Sequence, residues 1–247
     1  MKRNVLFVCA LPLEIKEIKK NIKRFNFKYI NTFFLSTGQW NYNMIFHLTR
    51  FLESNPIDFV VNIGVCGYIN TSKQYIQVAR SYNINTYHEK IIPSPFWLTT
   101  PENVACSETI IYNKEFLWSN NFVDMESFGF EFVLEKLNIP RICLKIPFDE
   151  VWNNTNSLGK KDLITLLTNF NYYDMLSEVN NYLEKLPPPE NNLEHIKNHF
   201  KLTHQEHQKL KFFAKKYEAV TKQNFEDFFE NNKNKTKKEF LEKLYQI

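Results

Sequence analysis

The residues of this chain best suited to chemistry are acids placed where apolar runs end. Asp124 and Glu126 follow one such run, and Asp149 and Glu150 follow the next. Between the two runs lie a segment of helical spacing, residues 127–137, and an Ile139-Pro140 turn. The implied order is strand, helix, strand, with both acid pairs at strand exits. In open α/β sheets the carboxyl ends of strands are where ligands bind. Carboxylates delivered there can give or take a proton, or hold a hydroxyl. A further acid, Glu14, follows the first apolar run and Pro12. Gly64 and Gly67 flank Val65 and Cys66 at another strand exit, where backbone can approach a ligand closely. Each acid also has a plain structural reading. Glu14 and Glu126 stand at helix starts, where a carboxylate complements the helix dipole. Asp149 stands where turns commonly carry Asp.

Positioning these groups takes alternating strands and helices. Residues 5–10, 59–63 and 141–146 are short apolar runs that read as buried strands. Pro12 opens a helix with Ile15, Ile18 and Ile22 on one face. Residues 41–53 and 127–137 have helical spacing, and 160–186 reads as one long helix. Residues 27–36, 75–87 and 104–112 are strand-like. The fold class expected is α/β: a three-layer α/β/α domain around a mixed central sheet, over residues 1–186. Pro187, Pro188 and Pro189 form a stiff linker. Residues 190–247 are then a helical C-terminal appendage, announced by the capping boxes Thr203-x-x-Glu206 and Thr236-x-x-Glu239. Its stripe of Leu210, Phe213, Phe225, Phe228, Phe229, Phe240 and Leu244 calls for a small helical bundle. That bundle could dock on the core, a second protomer or a protein partner.

Bulk composition narrows the function classes. Of 247 residues 43% are hydrophobic, enough for a real core. The net charge of +4 is too small for general nucleic-acid affinity, and 12 Lys against 9 Asp and Glu place most of it in residues 190–247. No run approaches a membrane span of about 20 apolar residues. The apolar run at 5–13 passes straight into a charged helix, so it reads as a first strand and the protein as cytoplasmic. Cys9, Cys66, Cys106 and Cys143 are widely spaced with no CxxC pair, and read as buried free thiols. His195, His199, His204 and His207 cluster in the tail without the cysteines or carboxylates that complete a metal site. Neither GxGxxG after the first strand nor GxxxxGK[ST] occurs, so no cofactor is expected.

Taken in order, Leu-Pro-Leu-Glu14, Ser36-Thr-Gly38, Asn62-Ile-Gly-Val-Cys-Gly67, Val123-Asp-Met-Glu126, Ile139-Pro and Leu144-Lys-Ile-Pro-Phe-Asp149 resemble the nucleoside phosphorylase/nucleosidase superfamily. The likeness is to its methylthioadenosine/S-adenosylhomocysteine and futalosine nucleosidases, and spans roughly residues 3–186. It implies that Glu126 bonds ribose hydroxyls and that Met125 packs on the sugar. It implies that Asp149 protonates the leaving purine and that Glu14 activates water. Gly64, Val65, Cys66 and Gly67 would lie along base and sugar, and Ile110 would stand where the family carries a base-stacking aromatic. Trp40, Trp97, Trp118 and Trp152 are further stacking candidates. The resemblance also implies a homodimer. Phe148 stands where the family has serine before the acid, and Glu150 is an alternative proton donor.

The expected function is therefore hydrolysis of a purine nucleoside to free base and ribose, without metal or cofactor. The first loop carries Glu14 and no arginine, with Lys16 the nearest cation, which favours water over phosphate as nucleophile. Three alternatives stand beside it. One is a degenerate nucleosidase-fold binding or scaffold protein. Another is an effector regulated by a partner on the tail. The third is a phosphate-dependent phosphorylase.

Overall fold

The computed structural model describes residues 2–111, 113–117, 119–151, 159–186, 193–221, 223 and 225–246. They fall into two compact units, Met1–Lys185 and Leu186–Ile247. The proposed linker prolines, Trp118 and Trp152 lie outside the described residues. Among the described residues no helix is long and apolar enough to cross a membrane.

In the first unit eight strands build one mixed sheet. They are β1 (Arg3–Cys9), β2 (Ile30–Ser36), β3 (Phe59–Tyr68), β4 (Ile76–Asn83), β5 (His88–Ile91), β6 (Pro101–Cys106), β7 (Phe122–Asp124) and β8 (Arg141–Glu150). The order is β2-β1-β3-β7-β6-β4-β5, and β8 pairs with β3 and β4. Strands β2, β1, β3 and β8 run parallel, so their carboxyl ends share one edge. Their near-continuous Val, Ile, Leu and Phe content is what a parallel sheet covered on both faces requires. The covering helices are α1 (Pro12–Ile22), α2 (Asn41–Ser54), α3 (Ser127–Leu137), α4 (Lys160–Asn169) and α5 (Tyr172–Lys185). Helix α2 buries Met44 and Leu48, and α3 buries Phe130, Val133 and Leu134, in one cluster with Leu6, Val8, Val60 and Cys143 of the strands. Helices α2 and α3 meet at Gly129, where an added Cβ would lie 2.7 Å from the Asn41 carbonyl oxygen. Only glycine permits that approach. A buried bidentate pair between Arg141 and Glu131 ties the start of β8 to α3.

Several elements differ from the sequence expectation. The long helix over 160–186 is two helices, because Phe170 is extended and Asn171 caps α5 by accepting from the Asp174 amide at 3.2 Å. Continuous apolar spacing hid the break. The strand expected over 75–87 ends at Asn83, whose side chain accepts from the amides of Asn85 and Thr86 at 2.9 and 3.1 Å. That Asx turn reverses the chain into β5. The strand expected over 104–112 runs instead from Pro101 to Cys106, and the one expected over 27–36 begins at Ile30.

The second unit holds α6 (Glu194–Phe200), α7 (His204–Thr221), α8 (Phe225–Glu230) and α9 (Lys237–Tyr245). Both capping boxes form: Thr203 N donates to Glu206 at 2.7 Å, and Thr236 N to Glu239 at 2.9 Å. Phe200, Leu210, Phe225, Phe229, Phe240 and Leu244 make its core. His195 pairs with Glu226 at 3.1 Å, and His199 contacts the Lys233 carbonyl at 2.8 Å.

Candidate active site

At the shared carboxyl edge of β1, β3 and β8 the first unit encloses a cavity of about 120 Å³. Each element delivers part of its wall. The chain leaving β1 turns at Pro12 into α1, which puts Glu14 in the first helical turn. Its carboxylate accepts from the Leu11 amide at 2.8 Å and the Val65 amide at 3.0 Å. Gly64 makes the second contact possible, since a Cβ there would stand 3.1 Å from Glu14 Oε1. Burial pushes the Glu14 carboxyl up, against the pull of those two amides and Lys145.

Strand β7 delivers Asp124, Met125 and Glu126. Asp124 is saturated: it accepts from Ser127 N at 3.0 Å and Ser127 Oγ at 2.7 Å, and pairs with Lys145 Nζ at 2.7 Å. It serves as an anchor, leaving Glu126 to face the cavity. Glu126 stands 3.6 Å from the same ammonium and accepts from the Trp40 amide. Burial raises its carboxyl, Lys145 lowers it, and Asp124 and Glu14 raise it again, leaving it at about 7. For Lys145, burial alone would depress the ammonium. Asp124 and Glu126 outweigh that and hold it well above the ordinary lysine value.

Strand β8 delivers Lys145 and Asp149. Its register against β3 slips at the end: Cys66 faces Pro147 and Gly67 faces Asp149, with Phe148 the extra residue. Pro147 has no amide for the ladder, and such bulges re-aim neighbouring side chains. Phe148 is thus the bulged residue. Asp149 is half-buried, and burial raises its carboxyl, the direction a proton donor needs.

The structure therefore brings together Glu14, Gly64, Val65, Cys66, Gly67, Met125, Glu126 and Asp149. Ile110 does not join them: it is 62% exposed and does not line the cavity. It lies past the turn that ends β6, where the Ser107 hydroxyl accepts from the Thr109 amide at 3.1 Å. Glu150, Lys16, Trp40 and Trp97 also fall outside the lining. Two polar residues that line it had no role in the sequence reading, Lys145 and Gln39, and Asp124 was read there only as an acid at a strand exit. A lysine inside the apolar run Ile142-Cys-Leu-Lys-Ile146 was the available signal, because a buried ammonium demands buried acids. The four cysteines are free and buried, and burial raises each thiol, so none is poised as a nucleophile.

No protein-family model and no curated protein sequence matches this chain. Solved structures do match its fold. The Helicobacter pylori 5′-methylthioadenosine/S-adenosyl homocysteine nucleosidase aligns with a TM-score of 0.55 at 11% identity, over 67% of this chain and 93% of that one. The Arabidopsis thaliana 5′-methylthioadenosine nucleosidase aligns with a TM-score of 0.59 at 13% identity, over 75% and 98%. The futalosine hydrolase of Helicobacter pylori aligns with a TM-score of 0.55 at 11% identity, over 67% and 93%. At such identities the likeness is one of architecture. The chain shares the α/β fold of these solved structures.

Proposed function

We propose that the first unit is a hydrolase that cleaves the N-glycosidic bond of a purine nucleoside with water. The observation that carries this reading is the convergence of Glu14, Glu126 and Asp149 on one cavity whose one lining cation among the described residues is already engaged by acids. In the proposed reaction the glycosidic bond breaks with its electron pair going to the base. Asp149 supplies a proton to the base as it leaves. Glu126 holds the ribose hydroxyls and, with Glu14, offsets the positive charge that builds on the sugar. Glu14 takes a proton from the attacking water, whose oxygen bonds to the anomeric carbon. A phosphate nucleophile would need a free cation in this cavity. Among the described residues Lys145 is the one cation in the lining, and it is held at 2.7 Å by Asp124.

The test is release of free base from adenosine, inosine, methylthioadenosine or S-adenosylhomocysteine, with and without phosphate. Phosphate-independent release that Asp149→Asn abolishes supports the reading. Release only with phosphate overturns the water mechanism. A second reading, a nucleosidase-fold binding protein without turnover, is favoured by the cavity's size. About 120 Å³ is below the 300–1,000 Å³ of common ligand pockets. Binding of nucleoside without release of base would establish it. We also propose a homodimer. Tyr42 and Phe46 of α2 are exposed apolar surface that a second copy would cover, and mass in solution checks it.

A further inference from the structure

We propose that Gln39 reads the substrate's 5′ substituent and favours a polar group there over an apolar one, an assignment that rests on the nucleosidase reading. Of the described residues lining the cavity, Gln39 is the one that is exposed, so the cavity opens beside it. Its carboxamide makes no hydrogen bond to any described residue. Among the described lining residues the other polar side chains are the four acids, Lys145 and the weakly bonding Cys66 thiol, so Gln39 carries the one carboxamide, able both to donate and to accept.

Its position is held from both sides. Gly38 has φ 83° and its amide donates to the Ala10 carbonyl at 2.9 Å. Trp40 has φ 76° and ψ 151°, a backbone region that non-glycine residues rarely occupy, and its amide donates to Glu126. The Gln39 carbonyl itself accepts from Asn43 Nδ2 at 2.8 Å. Strain of this kind persists only where the surroundings over-determine it. Here it keeps Gln39 at the rim while the next amide orients the sugar-binding carboxylate.

Strand order says which end of the substrate Gln39 meets. Along the carboxyl edge the sequence of strands is β2, β1, β3, β8. Gln39 follows β2, Glu14 follows β1, Gly64 and Gly67 belong to β3, and Asp149 to β8. Gln39 and Asp149 are thus at opposite ends of the row, roughly 14 Å apart at about 4.8 Å per strand. Side chains reaching inward from both ends span a nucleoside. With the base at Asp149 and the sugar over Glu126, the 5′ carbon points toward Gln39. A hydroxyl there can satisfy the carboxamide, whereas a thioether leaves it to water.

The experiment compares kcat/KM for adenosine and methylthioadenosine in the wild-type chain and in Gln39→Leu, with Gln39→Asn as the conservative variant. A rim hydrogen bond predicts a wild-type preference for adenosine of about five- to tenfold, removed by leucine and partly kept by asparagine. A wild-type preference for methylthioadenosine, or a ratio unmoved by Gln39→Leu, overturns the assignment while leaving hydrolysis intact. A wild-type chain that releases base from neither nucleoside overturns both. Gln39 is exposed, so leucine there leaves the fold intact, as an unchanged urea midpoint would verify.

Discussion

Replacing Lys145 with methionine isolates the charge arrangement on which the site depends. Its ammonium lies 2.7 Å from Asp124 and 3.6 Å from Glu126, with its side chain 2% exposed. At an effective dielectric near 20 those contacts carry gross attractions of about 6 and about 4.6 kcal/mol. Much of that offsets the desolvation of three charges. What the variant exposes is the penalty of two acids left buried without a cation, about 3–5 kcal/mol. That is a large part of the roughly 5–15 kcal/mol that holds a domain folded. All four tryptophans precede residue 186, so fluorescence reports on the first unit. With a urea slope near 2 kcal/mol/M, the midpoint should fall by about 1.5–2.5 M. Losing the ammonium also removes what pulls Glu126 down to about 7, so its titration should move up. Lys145→Arg, which keeps the charge, should lose far less. A methionine variant that unfolds within about 0.5 M of the wild type, with the Glu126 titration unmoved, would refute this reasoning.

Five other outcomes are expected. Glu14→Gln turns one accepting oxygen into an amide donor facing a backbone N–H, so stability should fall by about 1–3 kcal/mol in urea melts. The same change should slow base release by about 10²- to 10⁴-fold, read in a steady-state assay. Glu126 binds more protons folded than unfolded, because its carboxyl stands at about 7 against 4.5. Its contribution to stability is therefore complete below pH 4.5 and lost as pH rises through 7, on the order of 3 kcal/mol at most, which melts at pH 5 and 8 would detect. If ionised Glu126 holds the ribose, kcat/KM should rise with pH through the same interval. In the second unit Phe240→Ala removes a fully buried ring stacked on Phe200 at 4.2 Å, and exchange protection over residues 193–221 should fall by about 3–5 kcal/mol.

The central framework was legible because its strands are apolar on both faces. Residues 5–10, 59–63 and 141–146 could scarcely be anything else, and β1, β3 and β8 bracket the cavity. What escaped notice was polar or interrupted. Strand β5 reads His-Glu-Lys-Ile at a sheet edge and lacks any apolar run. The break between α4 and α5 left the apolar spacing intact and was marked only by Asn171 and Asp174. In the site, Glu14, Glu126 and Asp149 were visible as acids at strand exits. Lys145 was passed over because a lysine in a buried strand signals buried acids without saying which ones. Gln39 was passed over because nothing in a glutamine's spacing marks a cavity rim; strand order and backbone at Gly38 and Trp40 put it there. Ile110 was placed by the resemblance alone, and past the turn after β6 it stands outside the cavity lining.

The most direct test of the carboxylate site is to run the reaction in water enriched in oxygen-18, without phosphate, and weigh the sugar product. Water activated beside Glu14 should place one heavy oxygen on the anomeric carbon, with the base released unlabelled, and Asp149→Asn should stop both products. A sugar phosphate formed only when phosphate is added, or no sugar product from any purine nucleoside, would contradict the account.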